Sequence, residues 1–318
     1  MRVGRHAATP GAEVTGGRPP AVREADGTGG RPPAVREADR TGGRPPAVRG
    51  AGRTGGRHAA AFRLVVLVGL VLAWEAATRA AGNPFFPSPG TIVARMHTMW
   101  FSGPPATLFL TDTAIGNILP SLGRMALGLA GGALAGVLLG LAVGLSARAY
   151  DYLDGVLQFL RAIPPPALVT VFVVLFGFGL RMQLAFIMFS VMWPVLLNTA
   201  DGARSVEPLH LQTCQVFRMS RAERVRRVVL PSALPKMFAG LRLALSLSLI
   251  VMVFSELLPG TTNGIGFQLT DAYATFDLPA MWAGIVLLGV LGYLFNELFL
   301  TVERRVLAWH HEAQRLAD

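Results

Sequence analysis

From about residue 62 onward the chain alternates long apolar runs with short polar or basic segments. Met125–Ala147 is an apolar run of 23 residues between Arg124 and Arg148, and Ala162–Leu180, Met182–Ala200 and Leu278–Asn296 run 19 each. All four meet the roughly 20-residue length that a bilayer core demands of a helix. A fifth run, about Met237 to Leu258, contains Arg242 and Glu256. The earliest, Leu64 to Trp74, has only eleven residues before Glu75. With its basic flank and Ala77-Thr78-Arg79-Ala80-Ala81 it has features of a cleaved signal peptide. A sixty-residue leader would be atypical for such a peptide, so a retained helix over Phe62–Ala81 is expected. The pattern therefore predicts an all-α integral membrane protein with six transmembrane helices.

Composition agrees with this class: 52% of residues are hydrophobic, 15% are charged and the mean hydropathy is +0.47. The net charge of +10 divides into two parts: residues 1–57 carry eleven Arg and five acids, and the remainder carries eighteen basic and fourteen acidic residues. A basic balance invites a nucleic-acid reading. Here the charges lie in a tail and beside apolar runs, where membrane orientation explains them and no nucleic-acid partner is needed. Six spans place both termini on one side. The connection Pro259–Asp277 has two Asp and no Lys or Arg, as an outer loop should. A multi-pass protein of the plasma (cytoplasmic) membrane with both termini cytoplasmic is the expectation. The lone cysteine, Cys214, rules out an internal disulfide and any multi-cysteine metal site.

Ahead of the first apolar run lies a tandem repeat of thirteen residues. GGRPPAVREADGT (Gly16–Thr28) is followed by GGRPPAVREADRT (Gly29–Thr41) and GGRPPAVRGAGRT (Gly42–Thr54). Gly, Pro and Arg dominate and no apolar face recurs, so this segment cannot build a core. The domain organisation read from the sequence is a disordered tail over 1–60, a first transmembrane helix with its outer loop over 61–110, and a transmembrane domain over 111–318.

Between two apolar runs sits the most basic internal segment, Leu211 to Arg242, with seven Lys and Arg against Glu223 alone. Two short helical runs separated by a turn are expected in it. Ser220-x-x-Glu223 has the spacing of a capping box that starts the second run, and Leu230-Pro231 falls just before the chain re-enters the membrane. In its second half Val229-Leu230-Pro231, Ala233-Leu234-Pro235 and Gly240-Leu241-Arg242 stand in sequence, with Ser255-Glu256 and Asn263-Gly264-Ile265-Gly266 downstream. With Phe86-Pro87-Ser88-Pro89-Gly90, Leu160–Pro164 and Phe176-Gly177, these residues resemble the permease subunits of type I ABC importers, in the branch for sulfonates, taurine, nitrate and related small anions. The resemblance runs from about Leu64 to Trp309. It implies that the basic segment is the "EAA loop", which docks on a separate ABC ATPase subunit. It also implies an extracytoplasmic substrate-binding protein and a second permease copy, here expected as a homodimer. Gln212-Thr213-Cys214 replaces the family's Glu-Ala-Ala, and Arg218 replaces its turn glycine. The coupling residues implied are Gln212, Thr213, Cys214, Phe217, Arg218, Ser220 and Glu223. Glu256, Gly264 and Gly266 fall in what resembles the family's outer gate.

Three further patterns carry information. Gly128, Gly132, Gly136, Gly140 and Gly144 recur every fourth residue, placing small residues on one gently drifting helix face where a neighbour can approach closely. Ile163-Pro164-Pro165-Pro166 must break the helical hydrogen-bond ladder, either as a kink lining a pathway or as a break near the cytoplasmic end. Pro164 and Pro165 are the pathway candidates there. Arg161, Arg242 and Glu256 border or enter apolar runs, where ionisable groups are costly and carry a functional hypothesis. Arg242 and Glu256 lie about 21 Å apart along one helix and cannot pair with each other. Snorkelling is expected of Arg242, and of Glu256 either a helix-end cap or a place in the gate.

Enzyme signatures are absent. The chain's one lysine, Lys236, stands between Pro235 and Met237 and forms no P-loop; there is no HExxH and no GxSxG. No cofactor and no metal are expected. The function read from the sequence is a permease subunit of an ATP-driven importer for a small anion. The alternative is an ion-gradient-driven secondary transporter, for which Glu256 would be the lone intramembrane carboxylate. Because the repeats lack an apolar face, a chain starting near Ala59 should insert and transport like the full one. Loss of uptake in that truncation, at equal membrane abundance, would overturn the reading of the tail.

Overall fold

The computed structural model describes residues 55–308. The thirteen-residue repeats, His310-His311 and Arg315 lie outside the described residues. In chain order the helices are α1 (Gly55–Ala81), α2 (Pro89–Trp100), α3 (Asp112–Gly144), α4 (Ala147–Ala162), α5 (Pro165–Phe176), α6 (Leu180–Arg204), α7 (Pro208–Val216), α8 (Arg221–Arg224), α9 (Leu230–Glu256), α10 (Ile265–Ala274) and α11 (Leu278–Val306). Among the described residues five helical stretches are long and apolar enough to cross a membrane, and six if the bent pair α4–α5 is counted as one span.

The run Ala162–Leu180, expected as a span broken at its prolines, is not one continuous helix. α4 ends at Ala162 and α5 begins at Pro165, with a bend of 90° between them. Successive prolines explain this. The residue before a proline is pushed out of helical backbone, while a proline at the first helical position is well tolerated. The twelve residues of α5 rise only about 18 Å, short of a bilayer core of about 30 Å. Gly177 (φ +70°) and Gly179 (φ +124°) then turn the chain into α6 in backbone that side chains with a Cβ rarely adopt.

Two other boundaries differ from expectation. α3 begins at Asp112, capped by the Thr111 hydroxyl, which accepts from the Ala114 N–H. Arg124 therefore lies inside this helix instead of marking its edge. At the basic segment, α8 and α9 are one helical stretch, Arg221–Glu256, 36 residues long. A π-turn over Val225–Val229 joins them, closed by the Leu230 N–H on the Val225 carbonyl. Leu230-Pro231 thus continues the helix, the wide turn falling where the absent proline N–H would interrupt the regular ladder.

α6 is the central helix. Half of its apolar window is buried, against none of the window of α1. Met125, Phe186, Ile187, Val191, Val195 and Val251 form the main core between α3, α6 and α9. A second core joins α2, α3, α10 and α11 around the fully buried Trp100.

The glycines set the α3–α6 approach. A Cβ on Gly132 would fall 2.5 Å from the Met188 carbonyl oxygen, on Gly136 2.8 Å from that of Met192, on Gly140 2.5 Å from that of Leu196 and on Gly144 2.7 Å from that of Ala200. At Gly128 the obstruction is Ile187 Cγ2 at 2.4 Å. Four of the five glycines thus face backbone, which cannot move aside as a flexible side chain can. Overpacking usually costs about 1–3 kcal/mol, and side chain against backbone should reach the upper end. Gly136→Leu should therefore lower both the assembled protein and its melting temperature in detergent, with Gly136→Ala intermediate. Unchanged melting in Gly136→Leu would contradict this packing.

Candidate functional site

The basic loop is built by its own hydrogen bonds. Pro208 occupies the first turn of α7, and the helix stops through a paired closure: Arg218 N–H donates to Gln215 O and Met219 N–H to Cys214 O, each at 3.0 Å. This is the Schellman pattern, which places its left-handed residue at the position usually held by glycine. Arg218 is that residue, with φ +50°, at a cost of roughly 1–2 kcal/mol relative to right-handed backbone. Ser220 and Glu223 form a reciprocal capping box, each backbone N–H meeting the other's side chain at 3.2 Å.

This framework presents apolar side chains outward. Val216 is 79% exposed and Phe217 75%. Gln212 and Thr213 are exposed, while Cys214 is buried. Beneath the loop, Ala203, Val206 and Val229 pack with Leu141 and Leu211, so its floor touches the ends of α3, α6 and α9.

A second constellation lies at the far end of α9. Glu256 is 1% exposed. Arg124 Nη1 donates to its Oε1 at 2.6 Å, the Ser121 hydroxyl donates to the carboxylate at 2.8 Å, and the Gly266 N–H donates to Oε2 at 3.0 Å. Arg124 also donates to the carbonyl of Asn263 at 3.1 Å and, through Nη2, to that residue's side-chain oxygen. Ser121 accepts from the Ile265 N–H at 2.8 Å, and Asn117 accepts from the Gly264 N–H at 2.9 Å. The result is a buried ionic knot joining α3, α9 and the start of α10. Burial of a charge demands such pairing and full hydrogen bonding.

The glycines beside the knot are dictated by its closeness. A Cβ on Gly264 (φ +129°) would sit 2.5 Å from the Glu256 carboxyl carbon, and one on Gly266 2.6 Å from Glu256 Cβ. Glu256, Gly264 and Gly266 are thus brought together. Pro164 and Pro165 belong instead to the α4–α5 bend, where Pro165 lies beside Phe189 and Trp193 of α6. Arg242, part-exposed, forms an ion pair with Glu303 of α11.

Sequence reasoning missed Asn117, Ser121 and Arg124 as functional candidates. Their signal was present: they recur at i, i+4 and i+7, one face of a helix. Arg124 was read instead as the polar edge of an apolar run.

The family model for "binding-protein-dependent transport system inner membrane component" matches residues 132–308. A protein of Bacillus subtilis named as an aliphatic sulfonates transport permease, SsuC, is 32% identical over 225 residues, 71% of this chain and 78% of the relative. The taurine transport system permease protein TauC of Escherichia coli is 30% identical over 246 residues, 77% of this chain and 88% of the relative. The bicarbonate transport system permease protein CmpB of Synechococcus elongatus is 33% identical over 189 residues, 59% of this chain and 68% of the relative. With its membrane-length helices, the chain belongs to the binding-protein-dependent transport system inner membrane component family, the multi-pass permease subunits of ABC importers.

Proposed function

We propose that this permease carries a small oxyanion such as a sulfonate, taurine, nitrate or bicarbonate, and that two copies form its pathway. Family membership implies an ATP-hydrolysing subunit and a substrate-binding protein as partners. The ATPase docks on the basic loop, which is cytoplasmic together with both termini, and the binding protein delivers substrate at the opposite face. The observation that carries the docking assignment is the exposed Phe217 held by the strained turn at Arg218. An aromatic residue fixed on a rigid loop is the kind of anchor in which interface energy concentrates. Seven basic residues in the segment, with Glu223 as the one acid, support its cytoplasmic placement.

The ionic knot acts as the outer gate's latch, with Glu256, Gly264 and Gly266 in it. An ion-gradient mechanism would call for a carboxylate free to bind its ion. Glu256 is engaged by Arg124, Ser121 and the Gly266 N–H, which favours the ATP-driven reading.

Two outcomes test these assignments. Phe217→Ala should leave the protein folded, reduce ATPase co-purification and lower uptake per ATP hydrolysed in liposomes; Arg218→Gly should relieve the turn and not lower the melting temperature. Full ATPase binding and full uptake in Phe217→Ala would remove the loop from its coupling role. For the knot, Arg124→Ala should be severely destabilising, since breaking a buried pair costs about 3–5 kcal/mol. The double variant Arg124→Gln, Glu256→Gln leaves no unpaired charge and should recover much of that stability. If the latch reading holds, the double variant still loses uptake or leaks; stable protein with parental uptake refutes it.

A further inference from the structure

The α4–α5 bend borders a partly open cavity of 110 Å³ against the middle of α6. Trp193, which lines it, is the fourteenth of the 25 residues of α6, so the cavity lies well inside the helical bundle's length. Its volume is small beside the roughly 300–1,000 Å³ of ordinary ligand pockets. It equals about four water molecules at roughly 30 Å³ each, a size suited to a compact polar head.

Three features of its lining bear on what it could hold. Trp193 is 9% exposed, and its indole Nε1 is buried without a hydrogen-bond partner. A buried donor left unmade is costly, and its ring is held in place by Phe189, edge to face at a centroid distance of 5.3 Å. Arg161 lines the same cavity, and among the described residues it joins none of the ion pairs. Arg161 is exposed in the last turn of α4, so its guanidinium stands at the cavity's mouth with its donors open to an anion, which it can meet with charge-assisted hydrogen bonds. Finally, α5 starts at Pro165 on the cavity wall, so the positive end of its dipole adds to the field there. Discontinuous helices in transporters present the positive ends of half-helices to anionic groups in this manner.

We infer that this cavity is an intramembrane binding site for the oxyanion head of the transported solute, with the Arg161 guanidinium and the Trp193 indole N–H as its donors. The assignment rests on the small-oxyanion import reading and specifies where in the pathway the anion pauses. Leu247 and Phe189 on the cavity wall take an apolar portion such as the alkyl part of a sulfonate. The Ser190 hydroxyl donates to the Phe186 carbonyl at 2.7 Å and keeps only its acceptor side, so it is not counted among the donors.

The test uses the complete transporter, permease with its ATPase subunits, in lipid nanodiscs. Thermal stabilisation is titrated with sodium ethanesulfonate and with sodium nitrate, against sodium chloride at equal ionic strength. The parent should show saturable stabilisation by at least one oxyanion. Trp193→Phe keeps the ring and removes only the N–H; it should weaken the apparent affinity at least fivefold without changing the ligand-free melting temperature. Arg161→Gln should abolish the saturable shift, and Arg161→Lys should retain part of it. No saturable shift in the parent, or parental affinity and uptake in both Trp193→Phe and Arg161→Gln, would overturn the site. In the latter case continued uncoupling by Phe217→Ala leaves the importer reading standing. Retained oxyanion binding in a parent that imports no oxyanion would uphold the site and sink the substrate reading.

Discussion

A carboxylate with 1% exposure constrains everything around it. A buried charge needs a partner and full hydrogen bonding; Arg124 supplies the partner, and Ser121 and the Gly266 N–H complete the shell. Each of those partners brings its own element: α3 through Ser121 and Arg124, and the turn before α10 through Asn263 and Gly264. The interaction is worth less as net stabilisation than as specification. Isolated charges are so costly in low dielectric that alternative registers of α3 against α9 would leave one of them stranded. One ion pair, spanning 132 residues of sequence, therefore fixes how three segments meet.

The same carboxylate ends a long helical rod. From Arg221 in the basic loop to Glu256 the chain is helical over 36 residues, about 54 Å at the usual rise. The loop and the knot are thus opposite ends of one element. Their connection requires no relay of side chains, only displacement of a rod whose far end is tied to α3. The strained turn at Arg218 serves the near end. The Schellman bonds hold α7 and α8 in a defined relation, so under the proposed docking a push on the exposed Phe217 would reach the rod without being lost in a slack connection.

Much of this arrangement was legible in the sequence where it depends on local periodicity. The apolar runs marked α6 and α11, the four-residue glycine spacing marked the close face of α3, and Ser220 with Glu223 marked a helix start. Features resting on distant partners were not. Arg124 read as an edge charge and Arg242 as a lone charge within a run, because their acids, Glu256 and Glu303, lie far along the chain and only packing reveals them. The triple proline announced a break but not a 90° bend, since the angle is decided by what α4 and α5 pack upon. Trp193 gave no signal at all: an indole without a partner is a property of its surroundings, not of its neighbours in sequence.

A repeat of four residues exceeds the 3.6 of an α-helix, so the glycine track shifts about 40° around α3 with each step. The track nevertheless stays against α6 from Gly128, facing Ile187, to Gly144, facing Ala200 and Ala203. Contact sustained along a drifting track obliges the two helices to wind about each other, and a repeat longer than 3.6 winds them right-handedly. Two rods wound together with their backbones in contact cannot glide past one another along a straight line. Like a bolt in its nut, α3 can advance along α6 only by rotating, and any axial thrust delivered to this pair is converted into a turn of fixed hand.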